Sequence, residues 1–114
     1  MLKLSDDQTA TLKRLFNLTD KAGDKVTAGS KLVYDLLEFR FEHSVERRNK
    51  IVKRMDGHQR GLGGLVNVED VRRVSAFIGE LIDYQCGYEE IRRAFKDVEH
   101  PKKVKAEEGA SQTC

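Results

Sequence analysis

The sequence predicts an all-α fold: about four helices in a compact bundle, a glycine-rich loop over residues 56–66 and a disordered C-terminal tail. Three observations predict it. Apolar residues recur at three- and four-residue spacing along most of the chain. The single proline, Pro101, lies near the end, so long helices can run without a breaker. Only "GLVNV" alternates apolar and polar residues as a strand does, and it is too short to build a sheet alone.

The elements follow in order. Ser5 and Gln8 have the spacing of a capping box, and Asp6 and Asp7 sit in the first turn, where the helix dipole favours carboxylates. Leu12, Leu15 and Phe16 form one apolar face of this first helix, with Leu18 near its end and Gly23 as its stop. The second helix is capped by Thr27 or Ser30. Its stripe is Val33, Leu37, Phe41 and Val45, with Leu32 and Leu36 beside it, and Ile51, Val52 and Met55 continue the face. Residues 31–55 contain no breaker, but the apolar spacing loosens at His43-Ser44, which favours a bend or break there. "DGHQRGLGG" has four glycines in nine positions and reads as a loop. Asn67 caps the third helix, Glu69 and Asp70 occupy its first turn, and Val71, Val74, Phe77, Ile78, Leu81 and Ile82 form its broad apolar face. Gly87 is the stop signal, and a short last helix follows with Tyr88, Ile91, Ala94, Phe95 and Val98 inward, ended by Pro101. The reading is one helical domain over residues 1–99 and a tail over 100–114 with almost nothing to bury.

Composition bounds the chemistry. With 114 residues, 39% hydrophobic and 35% charged, the chain is a single domain with a heavily solvated surface. A net charge of +2 does not by itself argue for nucleic acid. Two distant cysteines, Cys86 and Cys114, do not make a disulfide framework and favour a reducing compartment. The N-terminus turns acidic before any apolar run forms, and no run approaches the roughly 20 apolar residues of a membrane span. The expected address is cytoplasmic.

"LTDKAGDKVTAGSKL" has the look of a calcium loop. Counted from Asp20, positions 1 and 5 carry carboxylates, Asp20 and Asp24. Position 3 is Ala22, position 6 is Lys25 in place of the turn glycine, and position 12 is Lys31 in place of the bidentate carboxylate. Two carboxylates among lysines do not satisfy a hard cation that needs six to eight oxygens. Residues 4–39 nonetheless resemble the first EF-hand of calmodulin and its light-chain relatives, through Ser5-Asp6-Asp7-Gln8, Lys13, Phe16, Leu18, Asp20, Lys21, Gly23, Asp24 and Leu32. More faintly, Asp56 to Asp70 is similar to a second, expanded loop, with His58 and Arg60 in place of ligands, and residues 89–95 to an entering helix. The resemblance implies paired, degenerate helix-loop-helix units that have lost calcium and hold a partner helix constitutively in an apolar groove.

Other constellations have structural explanations beside functional ones. Arg40, Arg47, Arg48, Lys50, Lys53, Arg54 and Arg60 form a basic patch along the second helix, to which Arg72 and Arg73 can add. It suits phosphates or a solvated face laced with pairs such as Glu46 with Lys50. No aromatic interleaving indicates base stacking. "RGLGG" lacks the Lys-Ser/Thr of a phosphate loop. His43, His58 and His100 have no ligand at metal spacing, Cys86 reads as a small buried residue or a partly exposed thiol, and Asp35, Glu38 and Glu42 read as solvated carboxylates on one helix face. No catalytic residue, metal or cofactor is indicated.

The expectation is therefore a non-enzymatic, calcium-independent protein-protein interaction module, an adaptor or regulatory subunit. Its partner, a helical segment of another protein, would engage an apolar groove of Leu15, Phe16, Leu37, Phe41, Phe77, Ile78 and Leu81, or a helix face. The alternative is a small helical regulator that binds nucleic acid or a nucleic-acid enzyme through the basic second helix, as in viral or mobile-element proteins. Self-assembly through the long helix is the third option.

Overall fold

The computed structural model describes residues 2–18 and 27–100. Five α-helices run in the order α1 (Asp6–Phe16), α2 (Ala28–Phe41), α3 (Val45–Leu62), α4 (Val68–Asp83) and α5 (Tyr88–Glu99), with one 3₁₀ turn at Gly63–Leu65 and no strand among the described residues. Asp20, Ala22, Gly23, Asp24 and Lys25, on which the calcium-loop reading turns, and the tail from Pro101 lie outside the described residues.

Local chemistry sets most of the boundaries. Ser5 Oγ accepts from the Gln8 amide at 3.1 Å and Gln8 Oε1 accepts from the Ser5 amide at 2.8 Å, closing the capping box. Thr27, rather than Ser30, caps α2: its Oγ1 accepts from the Ser30 amide at 3.0 Å and its hydroxyl donates to the Phe16 carbonyl at 2.9 Å. The chain breaks at the expected place. Glu42 is extended, Ser44 Oγ accepts from the Arg47 amide, and a new helix begins at Val45. One long stripe thus becomes two helices, and Val45 belongs to the second of them, solvent-exposed, in correction of its placement on the α2 core stripe.

Two boundaries differ from the sequence reading. Residues 56–62 are not a loop: α3 continues through Gly57 and Gly61 to Leu62. Each glycine costs a helix about 1 kcal/mol relative to alanine. Tertiary contacts offset that cost, because Leu62 is buried beside Ala28 and Leu32, with Met55 and Val66 packed around them. Gly87 does not stop α4. The stop is at Tyr84-Gln85-Cys86, where Gln85 takes the left-handed conformation (φ 66°), its amide donates to the Ile82 carbonyl and the Cys86 amide to the Leu81 carbonyl. These are the two bonds of a Schellman motif. Gly87 instead opens α5, donating its amide to Glu90 Oε1 at 2.8 Å.

The main core lies among α1, α2, α4 and α5. Leu12, Leu15, Phe16, Val33, Leu37, Val74, Phe77, Ile78, Leu81, Ile91 and Phe95 bury one another, with the Phe77 and Phe95 rings edge to face at 6.0 Å. Each such side chain contributes about 1.5–3 kcal/mol through burial. α3 stands apart: its one substantial helix neighbour is α2, and of its 18 residues only Ile51 and Leu62 are buried. The α1–α2 approach is close enough that a Cβ on Gly29 would lie 1.8 Å from the Leu15 carbonyl oxygen. Gly57 has open space around it. Gly29→Ala is therefore expected to destabilise the fold by about 3 kcal/mol or more, because backbone must move. Gly57→Ala is expected to stabilise it by about 0.5–1 kcal/mol through helix propensity. Urea denaturation of the two variants checks both signs.

Candidate functional site

α2 is covered on most sides, so one of its carboxylates, Asp35, is drawn inside; its side chain is 7% exposed. A buried carboxylate must be paired. The partners come from α3: Arg54 Nε donates to Asp35 Oδ1 at 2.7 Å, and His58 Nδ1 lies 2.6 Å from Asp35 Oδ2. Arg54 also reaches Glu38 Oε1 at 2.6 Å, and Arg47 lies 3.8 Å from Glu42. Asp35, Glu38 and Glu42 thus form a seam along α2 that meets Arg47, Arg54 and His58 along an antiparallel α3. Burial opposes the charge on Arg54, but the bonds from Asp35 and Glu38 outweigh it and hold its pKa above the ordinary arginine value. Asp35 and Glu42 are not the solvated carboxylates expected of them, while Glu38, 46% exposed, still meets water.

The basic patch is consequently divided. Arg54 and Arg47 face the seam. Arg48 lies over the Phe39 ring, 4.3 Å from its centroid, and Arg60 pairs with Asp56 at 2.9 Å. Arg40 is on α2, not α3, and donates to the Ser75 carbonyl of α4 at 3.0 Å. Arg73 turns to Asp70, 3.4 Å away, and Arg72 lies 4.0 Å from Glu69, so neither extends the patch as an unpaired charge. Lys50 and Lys53 are exposed, with no carboxylate within 4.0 Å among the described residues.

The expected groove residues are elsewhere engaged. Leu15, Phe16, Leu37, Phe77, Ile78 and Leu81 are buried against one another in the core, and Phe41 is half-buried against it, its ring 5.6 Å from that of Tyr88. Their apolar surface is used to close the fold, which leaves no open groove lined by them. The large exposed apolar residues are instead Val45 (73%) and Val52 (45%) on α3, with Leu65, Val68 and Tyr84. Val45 and Val52 are seven residues apart, which places them on one stripe of the helix.

Two further polar clusters tie helices together. Asp70, buried on α4, accepts from Arg14 of α1 at 3.0 and 3.1 Å. Glu99 of α5 accepts from Ser30 Oγ at 2.6 Å and from the Tyr34 hydroxyl at 3.0 Å. Burial pushes the Tyr34 pKa upward, and the charge and hydrogen bond of Glu99 act in the same direction, against a smaller opposing effect of Arg92. His43 is exposed, and His100 caps α5 with Nε2 3.7 Å from Glu99. No group of three or more His, Cys, Asp or Glu among the described residues is arranged to hold a metal ion. Cys86 is buried in the core, the first of the two readings given for it; Cys114 lies outside the described residues. No described helix is long and apolar enough to cross a membrane.

The candidate surface is the outer side of α3, whose main helix neighbour among the described residues is α2. No protein-family model matches the chain, and neither a curated protein nor a solved structure is significantly similar to it.

The His58–Asp35 pair is not evident from spacing in the sequence. A signal for it exists all the same: Asp35 stands inside the apolar run from Leu32 to Leu37, where a carboxylate needs a partner. Asp35→Asn is expected to weaken the native state by about 1.5–3 kcal/mol, the range for hydrogen bonds to charged groups, with the lower half favoured because Arg54 is half-exposed and screened. Loss of hydrogen-exchange protection concentrated in α3 checks that this seam is what holds the helix. The raised Tyr34 pKa has a pH consequence. Its stabilising contribution is fully present below the unfolded tyrosine value near 10 and declines as pH rises above it, because the unfolded state then releases the proton first. Denaturation at about pH 8 and pH 11 is expected to show a smaller alkaline loss in Tyr34→Phe than in the native chain.

Proposed function

We propose that this protein is a non-enzymatic protein-protein interaction module, an adaptor or regulatory subunit, that engages its partner without calcium through the outward face of α3. The observation that carries this reading is the disproportion between the length of α3 and its share of the core. An 18-residue helix buries two of its own residues, while Val45 and Val52 face solvent on one stripe. A helix stabilised mainly through its inner edge presents its outer face without disturbing the fold, and helix faces with spaced apolar anchors are a recurring mode of protein recognition.

The nucleic-acid alternative draws on Lys50 and Lys53, which are exposed and without carboxylate partners among the described residues. It is the weaker reading. Arg47 and Arg54 are turned to α2, Arg60 is paired, and exposed valines gain nothing from phosphate.

Affinity capture by the immobilised chain from the source cell, in chelator and at raised salt, tests the proposal. The expected outcome is a protein partner retained under both conditions and lost from the Val45→Asp, Val52→Asp double variant, with an unchanged melting temperature. Retention on heparin that disappears at moderate salt and in the Lys50→Glu, Lys53→Glu variant, with no protein captured, supports the alternative instead.

A further inference from the structure

The charge on α3 narrows the chemistry of the partner, an inference resting on the protein-binding reading above. Six arginines and lysines and two carboxylates lie between Val45 and Leu62, in a chain whose overall net charge is +2. The cations of the inner edge are matched by α2. The outer ones, Lys50 and Lys53, are not matched by any described carboxylate within 4.0 Å.

At about 100° and 1.5 Å per residue, Val45 and Val52 stand about 10 Å apart along one line of the helix, with Lys53 displaced to the side away from α2 and Arg48 to the side of Phe39. Lys50 lies one row beyond Lys53. The surface is thus a narrow apolar stripe with Arg48 on one side and Lys53 and Lys50 on the other; Glu46 stands between those two lysines, and Asp56, near the line of the valines, is paired with Arg60. We infer that this face takes an acidic amphipathic helix of another protein, apolar residues at heptad or near-heptad spacing resting on Val45 and Val52, and Asp or Glu flanking them opposite Arg48, Lys53 and, farther round, Lys50. An elongated stripe of this length matches one side of a helix better than a compact loop. The rim cations accelerate encounter and reject basic partners, and the valines supply the apolar contact. A second copy of this chain docking face to face would set the same cations against one another. Duplex nucleic acid would match the lysines but leave the valines against phosphate or water.

The test uses the full chain, isotope-labelled for amide resonances. The probes are a helical peptide with leucines seven apart flanked by glutamates, the same peptide with lysine for glutamate, and a DNA duplex of about 20 base pairs. The acidic peptide is expected to shift the amides of α3. Its Kd is expected to rise at least tenfold in Lys50→Glu with Lys53→Glu, and again in Val45→Asp with Val52→Asp, both variants melting as the native chain does. Equal binding of the lysine peptide, or absence of α3 shifts with the acidic one, overturns the inference. If capture of a protein partner through Val45 and Val52 persists in that case, the module reading stands without it. Tighter binding of the duplex than of the acidic peptide overturns both. A concentration-dependent dimer through α3 in the absence of peptide overturns the assignment of a foreign partner.

Discussion

A carboxylate in the wrong place organises half of this molecule. Asp35 sits on a helix enclosed by its neighbours, where an unpaired charge would cost several kcal/mol. Arg54 and His58 satisfy both of its oxygens, and both belong to α3, four residues apart on one helix face. That requirement sets the direction of α3 against α2 and the register between them. It also accounts for a helix that contributes little to the core yet has a defined position. Buried ion pairs are poor sources of net stability, but in some proteins they select one arrangement among several. An apolar seam between α2 and α3 would tolerate sliding by a turn; a two-sided clamp on one carboxylate does not.

The same logic recurs at two other joints. Asp70 with Arg14 fixes α4 to α1, and Glu99 with Ser30 and Tyr34 fixes α5 to α2. In each case a half-buried or buried carboxylate on one helix receives donors from another. The apolar core supplies the driving force for collapse, and these three carboxylates restrict how the helices are oriented once collapsed. Pairing Arg47 and Arg54 with α2 changes which charges remain exposed. The basic segment that reads in the sequence as one patch becomes, in the fold, an inner edge that is neutralised and an outer edge that is available.

Much of the secondary structure is legible in the sequence because its determinants are local. The Ser5–Gln8 box, the Asn67 cap and the break at His43-Ser44 depend on residues within one turn of the boundary. The core face of α4 is legible from spacing alone, since Val74, Phe77, Ile78 and Leu81 are all buried. The glycines mislead, for a definite reason. Propensity weighs Gly57 and Gly61 as breakers, but Leu62 buries against α2 and His58 bonds Asp35, and those distant contacts outweigh a cost of about 1 kcal/mol per glycine. Gln85 misleads in the opposite way, adopting a left-handed conformation for which sequence statistics look to glycine.

By itself, then, the sequence determined that the chain would be helical, where most helices begin, and most of the apolar side chains of α1, α4 and α5 that leave water, because periodicity and caps act over a few residues; it misplaced Val45, Val52 and Asp35. Which apolar faces close on one another, and so whether Leu15, Phe16 and Leu37 line a groove or a core, was decided only by tertiary packing. So was the division of the basic patch. Whether Arg54 or His58 is engaged by a neighbour or faces outward depends on a carboxylate 16 to 23 residues away meeting it in space. Spacing along a chain shows that both signs of charge are present; three-dimensional proximity decides which of them remain exposed.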